Sequence, residues 1–269
     1  MKTRIALVTG ASSGIGEATA KRLARAGYTV YGTSRHGAQA GERPFQMLPL
    51  DVTDEQSVEA AVNEVLRLHG RIDLLVNNAG FGVAPAAAEE SSIDQARAIF
   101  DTNFFGIIRM TRAVVPHMRR QGSGRIVNIG SVLGFLPMPY MALYSASKHA
   151  VAGYSESLDH ELRTQGIRVS VIEPAYIKTP FDANLMAPDA PLDTYREIRA
   201  AVDQRVKQVL ESADGPDVVA ETVLRVAMAA RPKLRYTSGG LAARLRLLRR
   251  FAPAGLVDAG IRKDLRLSS

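Results

Sequence analysis

The sequence predicts an α/β protein built on one doubly wound parallel sheet with helices on both faces, followed by an extra helical tail. Three observations predict it. Short β-branched and apolar runs alternate with runs of helical period along residues 4 to 173, with no linker between them. A glycine-rich turn joins the first strand to the first helix. The turn-forming and polar residues that punctuate the pattern (Gly10 to Gly16, Arg35, Asp51, Asn78, Ser131 and Pro174) fall at the carboxyl ends of strands, where open α/β sheets place their ligands.

Arg4 to Thr9 reads as a buried strand and Glu17 to Ala26 as a helix ended by Gly27. Between them lies Thr9-Gly10-Ala11-Ser12-Ser13-Gly14-Ile15-Gly16. Its glycines permit a tight turn and close approach to a pyrophosphate, and the helix start offers free N–H groups to an anion. The spacing departs from G-x-G-x-x-G, so a purely structural turn stays open at this point. Tyr28 to Ser34 is the second strand, ending in Ser34-Arg35-His36. An acid at this strand end would bind the ribose 2′-OH of NAD, whereas an arginine accommodates the 2′-phosphate of NADP. Arg35 with no acid beside it favours NADP over NAD; the alternative is a solvated loop charge.

Phe45 to Leu50 is the third strand, followed by Asp51-Val52-Thr53. Thr53 and Gln56 suggest a capping box for a helix carried by Val58, Ala61, Val62, Val65 and Leu66 up to Gly70. Ile72 to Val76 is the fourth strand and runs into Asn77-Asn78-Ala79-Gly80, which is either a plain turn or a side-chain clamp holding strand ends open beside a cofactor. Ser92 with Gln95 suggests a cap for one long helix from about Ile93 to His117 or beyond, with Asn103 in its middle. An amide there competes for backbone groups, so it is either a surface residue or a functional one. Arg125 to Ile129 is the fifth strand, Ser131 lies just past it, and Leu133 to Met141 forms an apolar loop. A helix then carries Tyr144 on to Gln165-Gly166, and Ile167 to Glu173 is the sixth strand.

That last helix holds Tyr144-Ser145-Ala146-Ser147-Lys148, a phenol and an ammonium four residues apart. At this spacing the two share a helix face. A cation beside a phenol favours the phenolate, whose ordinary pKa of about 10 is otherwise too high for proton exchange near neutrality. A solvated surface pair has the same spacing, so the rest of the chain decides.

Composition narrows the function further. The 269 residues suffice for one large domain, taken here as residues 1 to 269. With no Cys there is no disulfide framework, thiol nucleophile or zinc–thiolate site, and five scattered His give no metal-ligand spacing, so no metal is expected. No apolar run approaches the ~20 residues of a membrane span, and Ile5 to Val8 is too short for the core of a secretory signal. A soluble, cytoplasmic protein is expected. The formal charge of +7 is concentrated in the tail, where Arg244, Arg246, Arg249, Arg250, Arg262, Lys263 and Arg266 outnumber Asp258 and Asp264. No metal-finger spacing or aromatic-rich basic strand accompanies it, so nucleic acid is not an expected partner.

In Thr9-Gly10, Gly14-Ile15-Gly16, Asn77-Asn78-Ala79-Gly80, Asn103, Ser131, Tyr144, Lys148, Pro174 and Thr179, over roughly residues 3 to 180, the chain resembles the short-chain dehydrogenase/reductase family. The resemblance implies a Rossmann-type NAD(P)-dependent oxidoreductase acting on CH–OH or C=O groups, working as a homodimer or larger homo-oligomer. It implies that Tyr144 is the general acid or base, that Lys148 binds the nicotinamide ribose and lowers the Tyr144 pKa, that Ser131 orients the substrate oxygen and that Asn103 supports a proton relay through water. Cofactor contacts are implied for Gly10, Ser12, Ser13, Gly14, Ile15 and Gly16, for Ser34 and Arg35, for Asp51 and Val52 at the adenine, for Asn78, Ala79 and Gly80, and for Pro174, Ile177 and Thr179 at the nicotinamide.

Two departures stand out. Pro174-Ala175 replaces a frequent Pro-Gly, and the usual seventh strand and Gly-rich finish give way to Leu234 to Ser238, Gly239-Gly240 and the basic tail. Residues 176 to 215 occupy the place of the family's substrate lid and carry Ile177, Phe181, Leu185, Met186, Pro188 and Pro191. With the apolar loop before Tyr144 these suggest an enclosed site for a lipophilic ketone, aldehyde or secondary alcohol such as a steroid or retinoid; the alternative is that they only pack the lid down. A non-catalytic NADP-binding regulator on the same fold is the competing reading, and a related enoyl reductase or epimerase a third. In the tail, residues 240 to 269, Leu241, Leu245, Leu248 and Ala252 recur at helical spacing among arginines. We expect these leucines to pack on the body or a second subunit, with weak contact to an anionic membrane surface as the other reading.

Overall fold

The computed structural model describes residues 3–37, 42–181, 185–265 and 267. Its strands are β1 Arg4–Val8, β2 Tyr28–Ser34, β3 Gln46–Pro49, β4 Leu74–Asn77, β5 Gly124–Ile129, β6 Ile167–Pro174 and β7 Arg235–Ser238. They form one sheet in the order β3-β2-β1-β4-β5-β6-β7, with each neighbouring pair parallel. The order reverses beside β1, so the ends of β1 and β4 flank the crevice in which doubly wound sheets bind ligands. Ile5, Leu7, Leu75, Ile126 and Val169 face one side of this sheet, and Ala6, Val8, Leu74, Val76 and Val127 the other. Burial on both faces is why these strands read as near-continuous apolar runs.

The helices are α1 Gly14–Arg25, α2 Glu55–His69, α3 Ile93–Phe100, α4 Gly106–Gln121, α5 Ala142–Leu162, α6 Arg196–Glu211, α7 Asp217–Met228, α8 Gly240–Phe251 and α9 Ala254–Asp264. Val62, Met110, Val114 and Leu158 bring α2, α4 and α5 onto one face of the sheet, while Leu23, Val223 and Val226 bring α1 and α7 onto the other.

Three local expectations are corrected. The cap of α2 is Asp54, whose carboxylate accepts from Gln56 N–H at 2.9 Å, because Thr53 gives both its N–H and its hydroxyl to Asp51 Oδ1 at 2.9 and 2.7 Å. The single helix expected from Ile93 to His117 is two, joined by a wide turn over Asp101–Phe105 in which Gly106 N–H reaches back five residues to Asp101 O. The stretch near Leu234 to Ser238, read as a departure, forms a regular seventh strand paired with β6 from Val171↔Arg235 to Pro174↔Ser238.

The tail does pack on the body, but of the leucines expected to carry the packing only Leu245 is half-buried, while Leu265 further on is buried. The inner side of α8 is Ala242, fully buried, and Arg246, which pairs with Glu173 at 2.7 Å and lies over the Phe135 ring. In α9 Val257 is buried, and Asp264 pairs with Arg205 at 2.5 Å. Leu241 and Leu248 instead face outward, 42% and 47% exposed. Arg266 lies outside the described residues.

Candidate active site

The turn after β1 is shaped by backbone crowding. A Cβ added to Gly16 would sit 2.2 Å from Gly10 O, so only glycine lets α1 start this close to the strand end. Gly14 adopts a left-handed φ of 56°, and a Cβ there would lie 3.2 Å from Thr179 Cβ. Thus Thr179, beyond the end of β6, closes over the turn. Ser13 precedes α1 in extended conformation and its side chain makes no cap hydrogen bond, which leaves the first N–H groups of the helix open to an anion. Asn78 braces the turn from β4: its Nδ2 donates to Thr9 O and Gly10 O, both at 3.0 Å, and Asn78 N–H and Ala79 N–H donate to Thr9 Oγ1. The asparagine side chain thus ties the end of β4 to the turn after β1.

At the end of β2, Ser34 Oγ donates to Gly37 O at 3.0 Å and Arg35 is exposed. Burial works to raise the Asp51 carboxyl, but hydrogen bonds from Thr53 and the charges of Arg35 and Arg109 outweigh it and hold the carboxyl below its ordinary value. Val52 packs against Gly106, and its carbonyl accepts from Arg109. Sequence reasoning missed Arg43, whose guanidinium donates to Ala11 O at 3.3 Å and lies over the Phe45 ring, placing a second cation beside the glycine-rich turn.

Across the crevice, Asn103 is fully buried in the wide turn. Its Oδ1 accepts from Phe81 N–H at 2.9 Å, and its Nδ2 donates to Phe81 O at 2.8 Å and to Ser147 Oγ at 3.2 Å. Asn103 thereby joins the loop after Gly80 to the helix that carries Tyr144. Ser131 Oγ accepts from Leu133 N–H at 3.1 Å, and among the described residues its own hydroxyl hydrogen finds no acceptor, so it can donate to a ligand. The Lys148 side chain is buried and donates to Ile129 O at 3.0 Å; burial pushes its pKa down to about 8. Its Nζ lies 5.5 Å from the centre of the Tyr144 ring, on the shared face that the spacing implied.

The Phe181 ring lies 5.8 Å from that of Tyr144, tilted at 57° to it. Met186 exchanges hydrogen bonds with Gly82 O and Ala84 N–H, so the lid is laced to the loop after β4. Glu90, which the sequence did not single out, anchors that lid from beneath: it is fully buried, accepts from Leu192 N–H at 2.8 Å and pairs with Arg199. Ile177 is buried and bridges to Asp214. Tyr140, in the loop before Tyr144, holds a left-handed φ of 64°, and its carbonyl accepts from Ala86 N–H; such a backbone in a non-glycine residue is costly and clusters at binding sites. Glu173, just before Pro174, is buried with Arg235 and Arg246, and burial still pushes its carboxyl up to about 7. Among the described residues no group of three or more His, Asp or Glu could hold a metal.

Residues 4–190 match the family described as short chain dehydrogenase. The chain belongs to the short-chain dehydrogenase family. Its members are dehydrogenases and reductases of CH–OH or C=O groups, and this oxidoreductase is similar to several of them. It is 42% identical over 184 residues to a 3-ketodihydrosphingosine reductase of Bacteroides thetaiotaomicron, covering 68% of each chain. It is 35% identical to the human 17-beta-hydroxysteroid dehydrogenase type 1, covering 88% of this chain and 77% of that one. The crystal structure of a short-chain dehydrogenase from Streptomyces avermitilis superposes with a TM-score of 0.78 at 32% identity, over 99% of this chain and 96% of that one. In this short-chain dehydrogenase no helix among the described residues is long and apolar enough to cross a membrane.

Proposed function

We propose that this dehydrogenase transfers hydride between NADP and a lipophilic ketone, aldehyde or secondary alcohol. The observation that carries the reading is the setting of Tyr144. Its ring converges with Phe181 and Leu185 on Gly82, where a Cβ would lie 3.1 to 3.4 Å from all three side chains, while the Lys148 ammonium stands 5.5 Å from the ring centre. A proton donor with apolar walls and one cation suits a substrate whose sole polar group is the reacting oxygen. The names of two relatives, a 3-ketodihydrosphingosine reductase and a 17-beta-hydroxysteroid dehydrogenase, point the same way.

The cradle left by Gly10, Gly14 and Gly16, with the open helix start at Ser12, Ser13 and Ile15, fits a dinucleotide pyrophosphate. Arg35, with Arg43 nearby, would meet the 2′-phosphate beside Ser34. Asp51 and Val52 would recognise the adenine, Asn78, Ala79 and Gly80 would line the cleft, and Pro174, Ile177 and Thr179 would hold the nicotinamide. The cofactor, when bound, supplies or accepts the hydride. Tyr144 gives the proton to the carbonyl oxygen, or takes it from the alcohol, while Ser131 donates a hydrogen bond that orients that oxygen. Lys148 holds the ribose and favours the tyrosinate. Asn103 fixes the turn along which a water-borne proton relay would pass.

We place the enzyme in the cytoplasm, as a homo-oligomer; the exposed Ile93 and Phe105 along α3 and the wide turn offer an apolar face for a second copy. The test is a panel of ketones and alcohols, from sphingoid and steroid to short-chain, scored by nicotinamide absorbance with NADPH and with NADH. Turnover of lipophilic members with NADPH is expected. Uniform silence with tight NADPH binding would favour the regulatory reading, and a preference for NADH would remove the role of Arg35.

A further inference from the structure

The outer face of α8 inverts the usual arrangement of a surface helix. Arg244, Leu247, Leu248 and Phe251 recur at i, i+3, i+4 and i+7 and so share one face, and that face points to solvent. Leu247 is 59% exposed, Leu248 47% and Phe251 73%, with Leu241 at 42% on the same helix and Leu256 at 68% in the next one. Contiguous apolar surface of this kind on a soluble chain marks an interaction site. Its companions are cationic. Arg244, Arg249 and Arg250 are exposed, and among the described residues none of them enters an ion pair. Of the two acids in the tail, Asp264 is already held by Arg205, and Asp258 is exposed on α9.

Charge selects the occupant. A second copy meeting this face about a two-fold axis would bring the same arginines against each other, since such an interface pairs a patch with itself. An anionic bilayer accepts both components at once, with leucine and phenylalanine at the acyl boundary and arginine among the head groups. The place of the helix matters too. Arg249 Nε donates to Phe135 O at 3.2 Å and the Arg246 guanidinium lies 5.2 Å from the Phe135 ring, so α8 is fastened to the loop that follows Ser131. We propose that the face of α8 formed by Arg244, Leu247, Leu248 and Phe251 docks the enzyme on an anionic phospholipid surface, with the substrate site held beside that surface.

Co-sedimentation of the full chain with phosphatidylcholine vesicles, with and without phosphatidylglycerol, tests this without reference to turnover. Binding is expected only with phosphatidylglycerol, and release at high salt. Both Leu247→Ser/Phe251→Ser and Arg244→Glu/Arg250→Glu should weaken partitioning by about tenfold or more, with thermal melting and turnover of a water-soluble substrate unchanged, because these side chains are exposed and outside the site. Failure to sediment with anionic vesicles would overturn the proposal. So would equal binding to pure phosphatidylcholine, wild-type binding by either variant, or a dimer in light scattering that Leu247→Ser/Phe251→Ser dissociates.

Discussion

Asn103 and Phe81 are joined by a reciprocal pair of hydrogen bonds, the carboxamide accepting from Phe81 N–H at 2.9 Å and donating to Phe81 O at 2.8 Å. The side chain thus acts as a strand-like partner for one residue of the loop after β4. Asn103→Leu keeps the size but leaves both backbone groups and Ser147 Oγ without this partner, which costs roughly 2–4 kcal/mol when several polar groups are stranded. Urea unfolding should show that loss, and an unchanged midpoint would show that the loop does not depend on Asn103.

Tyr144→Phe keeps the ring against Phe181 and removes the hydroxyl. Turnover should fall by ~10²–10⁴, the usual consequence of losing a positioned acid, while NADPH affinity in a calorimetric titration stays near wild type. A variant that retains half the wild-type kcat would assign proton transfer elsewhere.

Lys148 carries a sign that can be read in stability. Its pKa is pushed down to about 8 from the ordinary 10.5, so the folded protein loses this proton before the unfolded chain does, and its contribution to stability rises with pH between about 8 and 10.5. Below that window the buried ammonium costs on the order of 3 kcal/mol. Lys148→Met should therefore melt higher than wild type at neutral pH, by about 1–2 kcal/mol after the bond to Ile129 O is lost, while losing both cofactor affinity and turnover. A lower melting temperature at neutral pH, or a difference from wild type that stays flat up to pH 10.5, contradicts this.

For cofactor choice, a charge-assisted contact to phosphate contributes ~1.5–3 kcal/mol, about tenfold to a hundredfold in affinity. Arg35→Ala should narrow the preference for NADP over NAD by that factor. Arg43→Ala should narrow it further, since Arg43 is the other cation beside the turn. Equal binding of the two cofactors by the unmutated enzyme refutes both roles.

Much of this site is legible in the sequence because its geometry is local. The glycine turn and the Tyr144 and Lys148 spacing each depend on a few consecutive residues at a strand end or on one helix face, whereas Asn78 is legible only as a turn former, since its partners Thr9 and Gly10 lie 69 and 68 residues earlier. The wide turn at Asp101–Phe105 is not legible, because the helical period of the apolar residues continues through it and only the misplaced Asn103 hints at a break. Arg43, Glu90 and Glu173 stayed hidden for a different reason. Their meaning depends on partners distant in the sequence, such as Arg199 for Glu90 and Arg246 for Glu173. The outward leucines of α8 show the complementary failure: periodicity reveals that a helix has an apolar stripe, but not which way the stripe faces.

The cations of Glu173 lie 62 and 73 residues further along the chain, at Arg235 and Arg246. Synthesis therefore delivers the carboxyl at the end of β6 well before either guanidinium. A nascent chain that has just completed β6 must leave this segment wet, or bury the acid with its proton on. The stretch leading into Pro174 can be settled only when the last strand and α8 have emerged. The last strand and α8 are thus the closing step in setting the sheet end that carries Glu173, although every residue proposed for the site comes earlier in the chain.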